Sequence, residues 1–185
     1  VGRRIVAAQD RMEAAQRDSG EFKAQDFLGA NPWTLQKEMK PLCDAERENC
    51  LQVYQKMPAE IEQEITSLRV FVERYRNIRN YDEFVSANSK ITETTAIPNW
   101  RPVLRLSELV SASIALDMRS IDKRQAALRE LAADVHSWRK ILTANDWLIT
   151  QMIAVNALHR KYRLASEIMN AYPDVIDLYP DLMKT

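Results

Sequence analysis

Glycine is almost missing from this chain. Its only glycines are Gly2, Gly20 and Gly29, and none occurs from Ala30 to Thr185. Average usage of about 7% would place roughly thirteen in a chain of this length. Glycine supplies the left-handed turns of hairpins and the close backbone approach of phosphate loops. Its scarcity argues against hairpin-rich β folds and excludes the P-loop and dinucleotide fingerprints, which need several glycines at fixed spacing.

Other absences narrow the field further. Lys plus Arg and Asp plus Glu number 26 each, so no global field draws in nucleic acid or an anionic membrane. No apolar run approaches the length of a spanning helix, and no charged n-region precedes an apolar stretch. The chain opens at Val1 rather than Met, which reads as a trimmed or processed product and leaves room for a targeting segment or membrane anchor upstream.

Catalytic patterns are also missing. His136 and His159 are the only histidines, and neither sits in a metal-binding spacing. Folding the last two helices about a short link sets His136 near Ile153 and His159 near Glu130, too far apart to share a metal. There is no nucleophile elbow, and nothing couples Cys43 or Cys50 to a histidine. Glu60, Glu62 and Glu64 lie two apart and do not face one another on a helix. We therefore expect no metal and no cofactor, and the reading leans away from an enzyme without excluding one.

What remains is helical. Hydrophobic residues make up 46% of the chain and charged residues 28%, as in an ordinary globular protein. Ile5, Ala8, Met12 and Ala15 predict a short first helix, and 19–32 reads as a connector. Leu35, Met39 and Leu42 form a stripe interrupted by Pro41, and Leu51, Tyr54 and Met57 form another that stops before Pro58. Ile61, Ile65, Leu68, Val72 and Tyr75 step by four and three, which predicts one helix from Pro58 to about Asn77. Residues 86–102 read as a loop, either a plain connector or a functional one. Three helices follow, over 103–118, 121–142 and 146–171. The last is apolar over most of its girth and should sit in the middle of the packing. The tail, with Tyr-Pro-Asp at 172–174 and 179–181, reads as short surface turns. The expected fold is all-α: an irregular helical bundle or short α-solenoid of six to eight helices. It forms a single domain over 1–185, with 1–32 loosely attached.

The two cysteines admit two readings. In one continuous helix Cys43 and Cys50 would be about 10.5 Å apart along the axis, beyond the roughly 7 Å Cα limit for a disulfide. A turn over Asp44–Asn49 would bring them together. The alternative is a pair of reduced thiols acting as small hydrophobes in a cytoplasmic protein.

A longer pattern carries a resemblance. It runs from Cys43-x6-Cys50-Leu51 and Pro58 through Glu73-Arg74-Tyr75-Arg76 and Trp138-Arg139-x-x-Leu142 to Asp146-x-Leu148-Ile149-x-x-Met152. The pattern resembles an uncharacterised group of Gram-negative bacterial proteins in which a helical domain follows an export signal or membrane anchor. The resemblance implies the periplasm or cell envelope, and with that oxidising compartment a Cys43–Cys50 disulfide. It implies no activity.

Candidate binding residues cluster in one stretch. Arg69, Arg74, Arg76 and Arg79 accompany Glu73, Tyr75 and Tyr81. Arg79 falls close to the buried stripe, where a guanidinium needs a carboxylate, a carbonyl or a ligand anion. It reads as an ion pair with Glu73 or Asp82, or as an anion- or partner-recognition patch. Trp33 and Trp100 flank prolines in connectors and either pin those loops or anchor a partner; Trp138 and Trp147 read as core. The function expected from all this is a non-enzymatic protein-interaction or scaffold module whose partner is another protein. The alternatives are an enzyme with a pocket between helices, or a small-molecule or lipid carrier whose seven methionines line a plastic pocket.

Overall fold

The structure, a computed structural model, describes residues 41–81, 100–144 and 148–178. The regular elements of these residues are all helical, and no strand occurs among them. In chain order they are α1 (Cys50–Gln55), α2 (Pro58–Ser67), α3 (Arg69–Arg76), a 3₁₀ turn (Asn77–Asn80), α4 (Arg101–Asp117), α5 (Ile121–Thr143), α6 (Leu148–Ala171) and a second 3₁₀ turn (Pro173–Leu178). The expected first helix, the connector over 19–32, Trp33, most of the 86–102 loop, Trp147 and the second Tyr-Pro-Asp lie outside the described residues.

Local chemistry explains where the early elements start and stop. Asn49 caps α1, its side chain accepting from the Gln52 amide at 3.0 Å, which satisfies an orphan donor of the first turn. Pro58 opens α2, where its missing N–H is harmless. The helix expected to continue to Asn77 breaks at Leu68 (φ −106°, ψ 16°). Just before the break, the Ser67 hydroxyl donates to the Glu64 carbonyl at 2.8 Å, a side-chain bond that competes with the helical ladder. The stripe survives the break: Ile61, Val72 and Tyr75 are all buried.

The centre of the packing is α4, which touches α1, α2, α3, α5 and α6. Its buried face includes Ser107, Ser111, Ala112 and Ala115, small side chains that let five neighbours approach. This corrects the expectation for the last helix. α6 buries Ala154, Leu158, Ala165 and Ile168 on one side but leaves Leu148, Met152 and Val155 more than half exposed. An apolar girth records composition, and burial depends on which neighbours arrive.

α5 and α6 run antiparallel. Asp134 meets Lys161, Arg139 meets Tyr162 at 2.8 Å, and Arg124 meets Asp174 at 2.7 Å. In this register the end of α5 lies level with the third turn of α6, and Leu142 lines the same groove as Asn156 and His159. The expected neighbourhood of His159 and Glu130 is therefore not formed; Glu130 instead pairs with Arg76 at 2.6 Å. Side-chain bonds along the hairpin, rather than the length of its link, set the register. The tail packs more firmly than expected, with Val175 buried and the Arg124 guanidinium 4.3 Å from the centre of the Tyr172 ring.

Cys43 and Cys50 are at bonding distance, with sulfurs 2.07 Å and Cα atoms 5.6 Å apart. The chain turns back between them as Arg47 and Glu48 donate their amides to the Asp44 carbonyl. Among the described residues no helix is long and apolar enough to cross a membrane.

Candidate functional site

The structure disperses the expected Arg/Tyr cluster. Arg69 is exposed and 3.8 Å from Glu73, and Arg74 is exposed on α3. Tyr81 is 63% exposed, and its carbonyl accepts from Lys140 at 3.1 Å. Trp100 packs inward with its ring 6.4 Å from that of Trp138, so it pins the end of the loop. Tyr75 is buried and belongs to the core rather than to a surface patch. Arg76 and Arg79 line a cleft together with Arg129 of α5.

Tyr75 leads instead into a buried polar network that no sequence motif marks. Its hydroxyl donates to Asp134 Oδ1 at 2.6 Å and accepts from Trp138 Nε1 at 2.9 Å. Asp134 Oδ2 lies 2.5 Å from Lys161 Nζ. Lys161 also donates to the Ser107 carbonyl at 2.7 Å and to Ser111 Oγ at 2.5 Å. Lys161 thus makes two hydrogen bonds and one ion pair. Burial above all, then the charge and hydrogen bond of Asp134, push the Tyr75 pKa well above the usual tyrosine value. Through these contacts Lys161 of α6 ties α4 and α5 together.

A second polar cluster ties the disulfide segment to the core. Glu108 accepts from the amides of Leu42 at 2.7 Å and Cys43 at 3.2 Å. Arg105 joins Glu108 at 3.0 Å to Glu64 at 2.6 Å. Burial works to lower the Arg105 pKa, but the bonds and charges of Glu64 and Glu108 outweigh it and raise it. Glu167 of α6 accepts from the Leu51 amide at 2.9 Å. Between these groups is a cavity of ≈ 30 Å³ lined by Tyr54, Ser107, Glu108, Ser111 and Lys161. That is room for a water or two, not for an organic substrate.

Tyr54 lines this cavity, and burial first, then the charge of Glu108, raise its pKa far above the usual value. A tyrosine raised in the fold contributes stability that is complete below the unfolded pKa of about 10 and is lost above it. Thermal midpoints are therefore expected to hold through neutral pH and to fall above about pH 10. Tyr54→Phe should make that alkaline fall shallower in calorimetry across pH; an unchanged slope would show that Tyr54 is not a cause.

The surface that periodicity did not flag is on α6. Leu148 (68% exposed), Met152 (63%) and Val155 (53%) stand at i, i+4 and i+7, followed by Tyr162 (41%). Leu148, Met152 and Val155, with Leu142, Gln151, Asn156 and His159, line an open groove of ≈ 520 Å³. Met118 is fully buried core filler, whereas Met152 lines this groove.

No protein-family model, curated protein or solved structure matches this chain.

Proposed function

We propose that this protein is a non-catalytic docking module of the bacterial cell envelope, an irregular helical bundle that binds another protein through the exposed face of α6. One observation carries the reading: large apolar side chains exposed at successive turns, Leu148, Met152 and Val155, beside a groove. Contiguous exposed apolar surface of this kind is uncommon on monomers and marks interaction sites. The bonded Cys43–Cys50 pair suits an oxidising compartment, in keeping with the resemblance to exported Gram-negative proteins.

Charge selects the occupant. Residues 135–144 and 148–166 contain Arg139, Lys140, Arg160, Lys161, Arg163, His136 and His159, and no Asp or Glu. Lys161 is offset internally by Asp134 and Arg163 pairs with Glu167 at 3.6 Å, and the balance of these stretches stays positive. Asp146, in the link outside the described residues, is the only carboxylate between these stretches. The groove therefore fits an amphipathic helix with apolar anchors at i, i+3, i+4 and i+7 and glutamates along its flanks.

The test uses a designed peptide with that leucine pattern and Glu flanks, and its twin with Lys flanks. The Glu peptide should bind in fluorescence anisotropy, the Lys twin should not, and Met152→Asp should weaken binding by about thirtyfold or more, as loss of a hot spot does. Equal binding of the twins, or binding indifferent to Met152→Asp, overturns the proposal. So does concentration-dependent self-association that Met152→Asp abolishes, since the occupant would then be a second copy.

A further inference from the structure

The opposite flank of α5 carries a different kind of site. The last residue of α3, the first 3₁₀ turn and one face of α5 enclose an open cleft of ≈ 510 Å³ lined by Arg76, Arg79, Ala126, Arg129 and Glu130. Arg76 is held in place, Nε to Glu130 at 2.6 Å and Nη2 to Ser113 Oγ at 3.2 Å. Arg79 and Arg129 are exposed, and Glu130 is the only carboxylate lining this cleft among the described residues. Arg79 also borders a recess of ≈ 10 Å³ that includes Asp134, but Asp134 accepts from Tyr75 through Oδ1 and is ion-paired to Lys161 through Oδ2. Three guanidiniums therefore face one available carboxylate. Ala126 sits three residues before Arg129, on the same face of α5, and its small side chain leaves the space open.

We propose that this cleft binds a phosphate monoester. The surplus of two positive charges matches a dianion. Two guanidinium forks offer paired N–H donors to the oxygens of one phosphoryl group, whereas a lone carboxylate would satisfy one fork. The opening exceeds a bare phosphate, so the phosphoryl group can be carried on a larger body: a free phosphate ester, or the headgroup of a phosphatidic acid. The site is independent of the docking face on α6.

Calorimetry with inorganic phosphate and glycerol 3-phosphate, and sedimentation with phosphatidylcholine vesicles with and without phosphatidic acid, separate the two sources. Binding of the soluble phosphates assigns a free ester. Binding only to vesicles that contain phosphatidic acid assigns the headgroup. In either arm Arg79→Gln and Arg129→Gln should each weaken binding about tenfold, as loss of one charge-assisted pair does, with the far-UV spectrum unchanged. Arg47→Gln, on the exposed turn beside Asp44, removes the same charge elsewhere and should leave binding unchanged. The proposal is overturned if neither arm binds, if acetate binds as well as phosphate, if the Arg79 and Arg129 variants bind like the parent, or if Arg47→Gln weakens binding equally.

Discussion

Lys161→Met is expected to destabilise the fold by about 3–5 kcal/mol, the usual effect of removing one partner of a buried ion pair. Lys161 and Asp134 are 2% and 7% exposed at their side chains and 2.5 Å apart. Without the ammonium, the Asp134 carboxylate stays buried with only the Tyr75 hydroxyl against it, and the Ser107 carbonyl and Ser111 hydroxyl lose their donor. An uncompensated buried charge costs far more than a lost surface pair. Asp134→Asn should act in the same direction, since it removes the countercharge from Lys161. The double variant Asp134→Leu/Lys161→Met should recover part of the loss, because an apolar pair removes both desolvation costs. Urea denaturation followed by tryptophan fluorescence measures all three. A loss below about 1 kcal/mol for Lys161→Met, the scale of an exposed pair, would show that water reaches the network.

The Cys43→Ala/Cys50→Ala variant should lose about 2–3 kcal/mol, the chain-entropy value for closing a loop this short. The fold should survive, because the same segment has other anchors. Glu108 holds the amides of Leu42 and Cys43, and Glu167 holds that of Leu51. Reduction of the parent protein should lower its urea midpoint to that of the variant. Equal midpoints for oxidised parent and variant would show that the carboxylate anchors suffice alone. Mass spectrometry of protein taken from its own compartment without reductant tests the envelope reading: two alkylatable thiols would exclude an oxidising location.

How much of this was legible in the sequence differs from element to element. The stripe Ile61, Ile65, Leu68, Val72 and Tyr75 gave both a helical segment and its inward face, since a 3.6-residue period is a local property. The break at Leu68 was less visible, because it turns on one hydroxyl of Ser67 choosing a carbonyl. Lys161 sits among His159, Arg160 and Arg163 and reads as one more surface cation. Its position carried a signal all the same: it shares the face of Ala154, Leu158, Ala165 and Ile168. A charge in register with a buried stripe needs a partner, and Asp134 occupies the corresponding inward face of α5 with Leu131, Val135 and Trp138.

A helical protein, the approximate bounds of α4 and α5, and the pair of cysteines that could meet were all legible in the amino-acid sequence. Those properties follow from glycine scarcity, proline positions and local periodicity. The tertiary structure alone decided that α4 rather than α6 occupies the centre, that Tyr75 faces Asp134, that Arg76 and Arg79 meet Arg129, and that Leu148, Met152 and Val155 stay in the open. Each of these depends on the register between helices distant in sequence. That register is fixed by a few buried side-chain bonds, which no local pattern encodes.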